Sequence, residues 1–327
     1  MRTPALFADE KNIRYFAGVS RSPGYLLVTE SKKYFLTSDA DADSKAVSIK
    51  IQKDALKELG FLLRKLRIKK VFTPFSSISA EQLNRLKKIA NLEDSSEEIS
   101  AIRSVKKKEE VIKIKEACGL ADEAMKAARD SIRVGVTEKR VRLEAMEAVL
   151  ERCEDQAFPM IVASGANSML THAYPSDKKI REKETVIVDL GFTVEGYCSD
   201  LTRTFAVSPT EKQIKLYETV LRAYEESVAC LKKGRKYSDI YEAAGKVFDE
   251  TKTRQHWKYS LGHGVGLDVH EAPAINAKTK CRVADGNVFT IEPGLHVRDV
   301  GGCRIEDTIL FYKKPVVLTR FPKVLEA

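Results

Sequence analysis

The chain has 327 residues and a mass of 36.7 kDa, enough for one large domain or two of ordinary size. Apolar residues at 43% and charged residues at 31% exclude a disordered chain, which lacks the apolar surface to offset its conformational entropy. The net charge of +9 is spread out, with 18 Lys+Arg against 13 Asp+Glu in residues 1–100 and 38 against 34 thereafter, which argues against a nucleic-acid patch. The densest basic run, Arg64-Lys65-Leu66-Arg67-Ile68-Lys69-Lys70, reads as a solvated helix end, where cations complement the dipole. Six cysteines are widely spaced without a C-x-x-C pair, which predicts reduced thiols. Met1-Arg2-Thr3-Pro4 leads into charged residues without an apolar h-region, and no run approaches a membrane span. A cytoplasmic protein with neither nucleic acid nor membrane as partner is expected.

In chain order, Tyr25-Leu26-Leu27-Val28 and Tyr34-Phe35-Leu36 predict two strands joined by a polar turn around Glu30-Ser31-Lys32. A helical stretch at 54–66, the apolar Val71-Phe72 and a second helix at 79–90 complete a small α/β domain over 1–100. The polar segment Asn91-Leu92-Glu93-Asp94-Ser95-Ser96-Glu97-Glu98 places a boundary at about 92–104, so 101–327 forms the second domain.

There, Val111, Ile114, Cys118, Ala121, Met125, Ala128 and Ile132 recur at steps of three and four, predicting an amphipathic helix that Gly135 stops. Thr137 reads as the N-cap of a helix carrying Val141, Ala145 and Ala148. The design recurs about a hundred residues on. Ile214, Tyr217, Leu221, Tyr224, Val228 and Leu231 predict a helix, Gly234 ends it, and Ser238 caps another carrying Ile240, Ala244 and Val247. β-Rich segments follow both copies, 157–164 with 185–207 and 256–263 with 287–312. Two similar α/β halves related by a pseudo-twofold axis, with a cleft between them, are expected.

Five side chains divide between those halves: Asp189 and Asp200 in the first, His263, Glu292 and Glu306 in the second. Asp189 and Asp200 bracket Gly191-Phe192-Thr193-Val194-Glu195-Gly196, which reads as a hairpin connection between antiparallel strands. Glu292 ends a strand at 288–291, and Glu306 lies in an apolar strand at 304–311 with Arg304 on the same face. Taken singly each acid reads as a surface or capping residue. Four carboxylates and one imidazole together suit two divalent cations, which generate a nucleophile at neutral pH and polarise a carbonyl oxygen. His263 sits in Gly262-His263-Gly264-Val265-Gly266, where flanking glycines would let a ligand approach closely. The spacing is not that of a dinucleotide loop, and no Gly-x-Ser-x-Gly elbow offers a competing nucleophile.

Together with Asn12-Ile13-Arg14-Tyr15-Phe16-Ala17-Gly18, residues 106–117, and Ile161-Val162-Ala163-Ser164-Gly165-Ala166-Asn167 with Thr171-His172-Ala173, these segments resemble the pita-bread metallopeptidases. The nearest group is the Xaa-Pro peptidases, prolidase and aminopeptidase P. The resemblance covers nearly the whole chain. It implies a creatinase/prolidase-like N-terminal α/β domain followed by a pita-bread catalytic domain, an α/β (α+β) protein. It further implies that Asp200 and Glu306 bridge two metals, that Asp189 completes one site, and that His263 and Glu292 complete the other. Glu292 would also move a proton, and His172 and His270 would contact the substrate and stabilise the tetrahedral intermediate. His172 by itself reads equally as a solvated loop histidine. His270 lies seven residues from His263, so a bend is needed to bring the two together. Mn²⁺ is the expected metal, with Co²⁺, Zn²⁺ and Fe²⁺ as alternatives. A small peptide is the expected substrate, and a homodimer the expected assembly.

Three positions depart from the group's pattern. Ala274, in Glu271-Ala272-Pro273-Ala274, stands where the prolidase branch carries an arginine for the dipeptide carboxylate. His296 replaces an aromatic residue and Cys303 a small aliphatic one. The expected activity is Xaa-Pro dipeptide hydrolysis, with Arg298 as one substitute for the missing cation. The alternatives are an Xaa-Pro aminopeptidase acting on longer peptides and a non-catalytic peptide-binding protein of the same fold. His256 is read as structural.

Overall fold

The computed structural model describes residues 1–19, 22–42 and 47–327, and the chain falls into two compact units, Met1–Arg103 and Ser104–Ala327. In the first, a mixed sheet of six strands among the described residues runs Ser48–Ile51, Lys33–Thr37, Gly24–Val28, Ala5–Phe7, Lys70–Thr73, Asn91–Asp94. Side chains alternate between its faces. Leu26, Val28 and Phe35 pack with Ile13 of helix Glu10–Ala17 and Ile99 of helix Ser96–Ser104. Leu27, Leu36 and Val71 pack with Leu59 and Leu62 of helix Ala55–Lys65 and Leu86 of helix Ala80–Lys87. The predicted hairpin and both predicted helices are present, capped by Asp54 and by a Ser79/Gln82 capping box. Arg64 and Lys65 close the last turn of their helix, as expected of a solvated end.

The polar stretch read as a boundary is itself structured. Asn91–Asp94 is an edge strand parallel to Lys70–Thr73, and Asp94 then accepts bonds from the backbone N–H groups of Ser96 and Phe75. Edge strands keep polar side chains because most of their surface faces water, so composition alone mimics a linker.

The second unit repeats one design twice. Helices Lys108–Ser131 and Glu138–Glu147 open the first half, Glu211–Ala229 and Tyr237–Glu250 the second. In each, a glycine with positive φ turns the connection between the two helices, Gly135 at 89° and Gly234 at 79°, a conformation that costs glycine little. Each glycine donates its N–H to a later segment, Gly135 to Ile180 O and Gly234 to Val283 O. Ile180 and Val283 in turn donate to Val136 O and Arg235 O. The sheets also correspond. Ile161–Ser164, Thr185–Leu190 and Leu201–Ala206 are antiparallel neighbours in the first half. Gly262–Gly264, Asn287–Ile291 and Asp307–Tyr312 are the same in the second, flanked by Glu271–Ile275 and Lys314–Val317. Met125 and Val141 pack against Val188 and Phe205 in one core, and Val220 and Phe248 against Phe289 and Ile309 in the other. The second unit has the pita-bread architecture, and the first is a small α/β domain.

The helix expected over 214–231 is present as Glu211–Ala229, with Tyr217 and Tyr224 buried, Leu221 and Val228 packed on the core, and Ile214 in its first turn 39% exposed. Two local expectations fail. Ser238 is not a cap: the helix starts one residue earlier, at Tyr237, whose ring packs edge-on against Phe289 and whose hydroxyl donates to Asn287. The strand expected from 256 begins only at Gly262, after a short 3₁₀ turn at Arg254–His256 that holds His256 away from the cleft.

Candidate active site

The two halves of the second unit enclose a cleft of about 790 Å³ lined by Asp189, Asp200, His263, Glu292 and Glu306, together with His172, His270, Ala274, Lys258 and Arg304. The local fold explains each placement. Asp189 is the penultimate residue of Thr185–Leu190 and pairs across the ladder with Thr202. The stretch between Asp189 and Asp200 is more than a connection: it holds its own hairpin, Phe192–Val194 with Tyr197–Cys198, turned at Glu195 and Gly196. Gly191 lets this loop fold back, because a Cβ there would lie 2.1 Å from Ser199 O.

Asp200 is stapled to the other half, its N–H donating to Thr308 Oγ1 and its carbonyl accepting from that hydroxyl at 2.8 Å. Glu306 is not within a continuous strand. The chain leaves strand Gly301–Arg304 and enters Asp307–Tyr312, and in the gap Glu306 bridges to Thr202, N–H to carbonyl at 3.1 Å. The break lets a residue of the second half hydrogen-bond to the first. Thr202 also donates its hydroxyl to Glu306 Oε2 at 2.6 Å and accepts from Arg304 Nε at 3.3 Å.

His263 lies on the short strand Gly262–Gly264. Its flanking glycines admit neighbouring strands rather than a ligand: a Cβ on Gly262 would meet Thr290 O at 2.1 Å, and one on Gly264 would meet Ala272 O at 2.3 Å. The ring Nδ1 stands 3.2 Å from Gly264 O. A proton held there leaves the Nε2 lone pair facing Asp200 Oδ2 at 3.5 Å and Glu292 Oε1 at 3.4 Å. One donor atom each from Asp200, His263 and Glu306 lies within 4.8 Å of the others. The bend required between His263 and His270 exists as a bulge and loop, and the two rings stand 4.2 Å apart. His172 occupies an exposed loop on the same cleft.

The electrostatics suit cations. Burial, then the neighbouring carboxylates, raise Asp200 and Glu292 above the usual carboxylate range, and Glu306 is pushed up to about 8. Burial, then the charge of His270, pushes His263 down to about 4, so its imidazole is neutral and able to ligate. Asp189 Oδ1 is buried without a hydrogen-bond partner among the described residues, while Oδ2 is taken by Arg304. Crowded acids, an orphaned carboxylate oxygen and a neutral imidazole are the donor set of hard or borderline divalent ions, and the residues present fit such a group.

Residues 112–313 match metallopeptidase family M24, and residues 4–105 match the creatinase/prolidase N-terminal domain. The chain belongs to metallopeptidase family M24. It is 34% identical to an Xaa-Pro dipeptidase of Pyrococcus horikoshii over 94% of this chain and 90% of the relative. The prolidase structure from P. horikoshii OT3 superposes with a TM-score of 0.91 at 32% identity, covering 98% of this chain and 94% of the other. The X-Pro aminopeptidase from Thermotoga maritima MSB8 gives 0.89 at 27% identity, covering 98% and 94%. As a family M24 member the chain is a metal-dependent hydrolase.

Several residues of this M24 site escaped sequence reasoning. Thr202 and Tyr259 show no motif of their own, although Thr202 lies on the strand that Asp200 opens. Arg304 does pair with a site carboxylate, Asp189, and also lies over the Tyr259 ring with 5.7 Å to its centroid. Of the departures, Ala274 lines the cleft. His296 is buried with Nδ1 2.9 Å from Ser168 O, and Cys303 lies in the core. Arg298 is exposed and does not line the cleft, so it is a poor substitute for the missing arginine.

Proposed function

We propose that the chain is an Xaa-Pro dipeptidase whose centre holds two divalent cations, with Mn²⁺ preferred and Co²⁺, Zn²⁺ and Fe²⁺ as alternatives. The observation that carries this reading is the convergence of Asp200, His263 and Glu306 in the cleft, with Asp189 and Glu292 beside them, in a chain related to Xaa-Pro dipeptidases along its length. Asp189, Asp200, His263, Glu292 and Glu306 would hold the ions, which when bound supply a nucleophile at neutral pH and polarise the scissile carbonyl.

The protein's own groups do the rest. Glu292, whose proton affinity burial raises, takes the proton of the attacking water and returns it to the departing proline nitrogen. His270 is held below the ordinary histidine range by burial and by His172, and is therefore a neutral hydrogen-bond donor at physiological pH. Together with His172 it donates to the oxygen that becomes negative in the tetrahedral intermediate. The tertiary amide before proline has no N–H, so recognition rests on shape and on the charges at the two ends of the dipeptide.

On this reading residues 1–100 form an accessory α/β domain and 101–327 the catalytic domain, in a cytoplasmic homodimer. The six free cysteines support a reducing compartment. Among the described residues, no helix is long and apolar enough to cross a membrane.

The test is hydrolysis of Xaa-Pro dipeptides and of Xaa-Pro-Yaa tripeptides by Mn²⁺- or Co²⁺-reconstituted protein. Dipeptides should be cleaved faster, and Asp200→Ala should abolish turnover. Faster tripeptide cleavage would transfer the assignment to an Xaa-Pro aminopeptidase, a reading that the neutral Ala274 favours. No cleavage of either would refute both.

A further inference from the structure

A dipeptide bound at this centre places its free carboxylate one residue beyond the scissile bond, and a negative charge in a partly enclosed cleft needs a cation. Ala274 lines the cleft and carries none. Among the described residues, Arg304 and Lys258 are the lysine and arginine side chains that line it. Arg304 is committed. It is 4% exposed, ion-paired to Asp189, and donates to Thr202 Oγ1 and to Thr171 O. Lys258 is different: it is exposed, and among the described residues no acid stands within ion-pair distance of it.

Its backbone is nevertheless anchored on both sides. Trp257 stacks on Tyr241 at 4.3 Å between centroids and meets Phe248 edge-on at 5.2 Å. Tyr259 is held beneath the Arg304 guanidinium and edge-on to His296 at 5.9 Å. Lys258 lines the cleft next to Tyr259 and Ser260, on the same wall as Arg304, which lies over the Tyr259 ring. The result is an exposed cation on an anchored backbone, lining the cleft.

We propose that Lys258 receives the C-terminal carboxylate of the dipeptide substrate, standing in for the arginine that Ala274 has replaced. This rests on the Xaa-Pro dipeptidase reading and deepens it. A peptide that continues past proline presents an amide at that place and leaves the ammonium unpaired, so Lys258 is a determinant of preference for free dipeptides. An ammonium suits the role because it is a compact charge on a flexible stem that tolerates one carboxylate in several orientations.

The experiment compares Met-Pro with Met-Pro-amide as substrates for metal-loaded wild type, Lys258→Met and Lys258→Arg. In Lys258→Met the ratio of kcat/KM for the free acid to that for the amide should fall by about ten-fold, carried by KM, as expected for loss of one charge-assisted contact. Lys258→Arg should restore most of it. An unchanged ratio, or equal losses on both substrates, would overturn the role of Lys258 while leaving the dipeptidase reading intact. Wild type that cleaves no Xaa-Pro dipeptide would overturn that reading and this assignment with it.

Discussion

Glu306 shows how one residue both joins the two halves and brings a carboxyl into the cleft. Its backbone joins the two halves through Thr202, and its carboxyl, pushed up to about 8 by burial and then by Asp189, resists ionisation without a cation nearby. A carboxyl whose pKa is raised on folding stabilises the folded state most at low pH, and that contribution is lost as pH rises through the folded value. For protein stripped of metal, the melting temperature should therefore decline between about pH 5 and pH 8. The decline should be shallower in Glu306→Gln, and added Mn²⁺ should oppose it most at the alkaline end. A melting temperature that climbs across that range in stripped protein would contradict the assigned strain. That these four acids and one imidazole belong together was readable from sequence because each is marked by glycine, proline or a strand end, and all five line one cleft. Thr202 and Lys258 were not, because a lone hydroxyl or ammonium gains meaning only from what the fold sets beside it.

At the scale of elements, the strand Asp307–Tyr312 carries the connection between halves and is pinned by a buried ion pair. Asp307 accepts from Arg203 Nη2 at 2.7 Å and from Thr319 Oγ1 at 2.8 Å, and Lys323 Nζ lies 2.6 Å away. Arg203 and Asp307 are both fully buried, so removing the acid strands a guanidinium in the interior. Asp307→Ala should cost about 3–5 kcal/mol in denaturant unfolding, whereas exposed pairs such as Lys126–Asp130 should cost under about 1 kcal/mol. A loss of less than about 1 kcal/mol for Asp307→Ala would show that the pair is not structural. A second buried acid acts locally: Glu138 accepts bonds from Ser164, Asn167 and Ser176, tying down both ends of the loop that carries His172. Periodicity predicted the long helices well because their apolar stripes exceed two turns. It failed at Ser238, where packing of Tyr237 advanced the helix start, and at Glu306, where hydrogen bonding to the other half broke the strand.

For the whole molecule, the duplicated design does more than any single acid to explain the site. Gly135 and Gly234 occupy equivalent turns, and equivalent strands deliver Asp189 from one half and Glu292 from the other to one cleft. This repeat was legible in sequence as helix, glycine, helix, strands. The edge strand Asn91–Asp94 and the three-residue strand Ala5–Phe7 were not, being too short or too polar to show alternation. The central claim is that this cleft holds a dinuclear metal centre, and anomalous diffraction from crystals grown with Mn²⁺ tests it most directly. Two peaks roughly 3.5–4 Å apart, shared by Asp200 and Glu306 and flanked by Asp189 on one side and His263 with Glu292 on the other, are the predicted result. A single peak, or peaks away from these five residues, would contradict it.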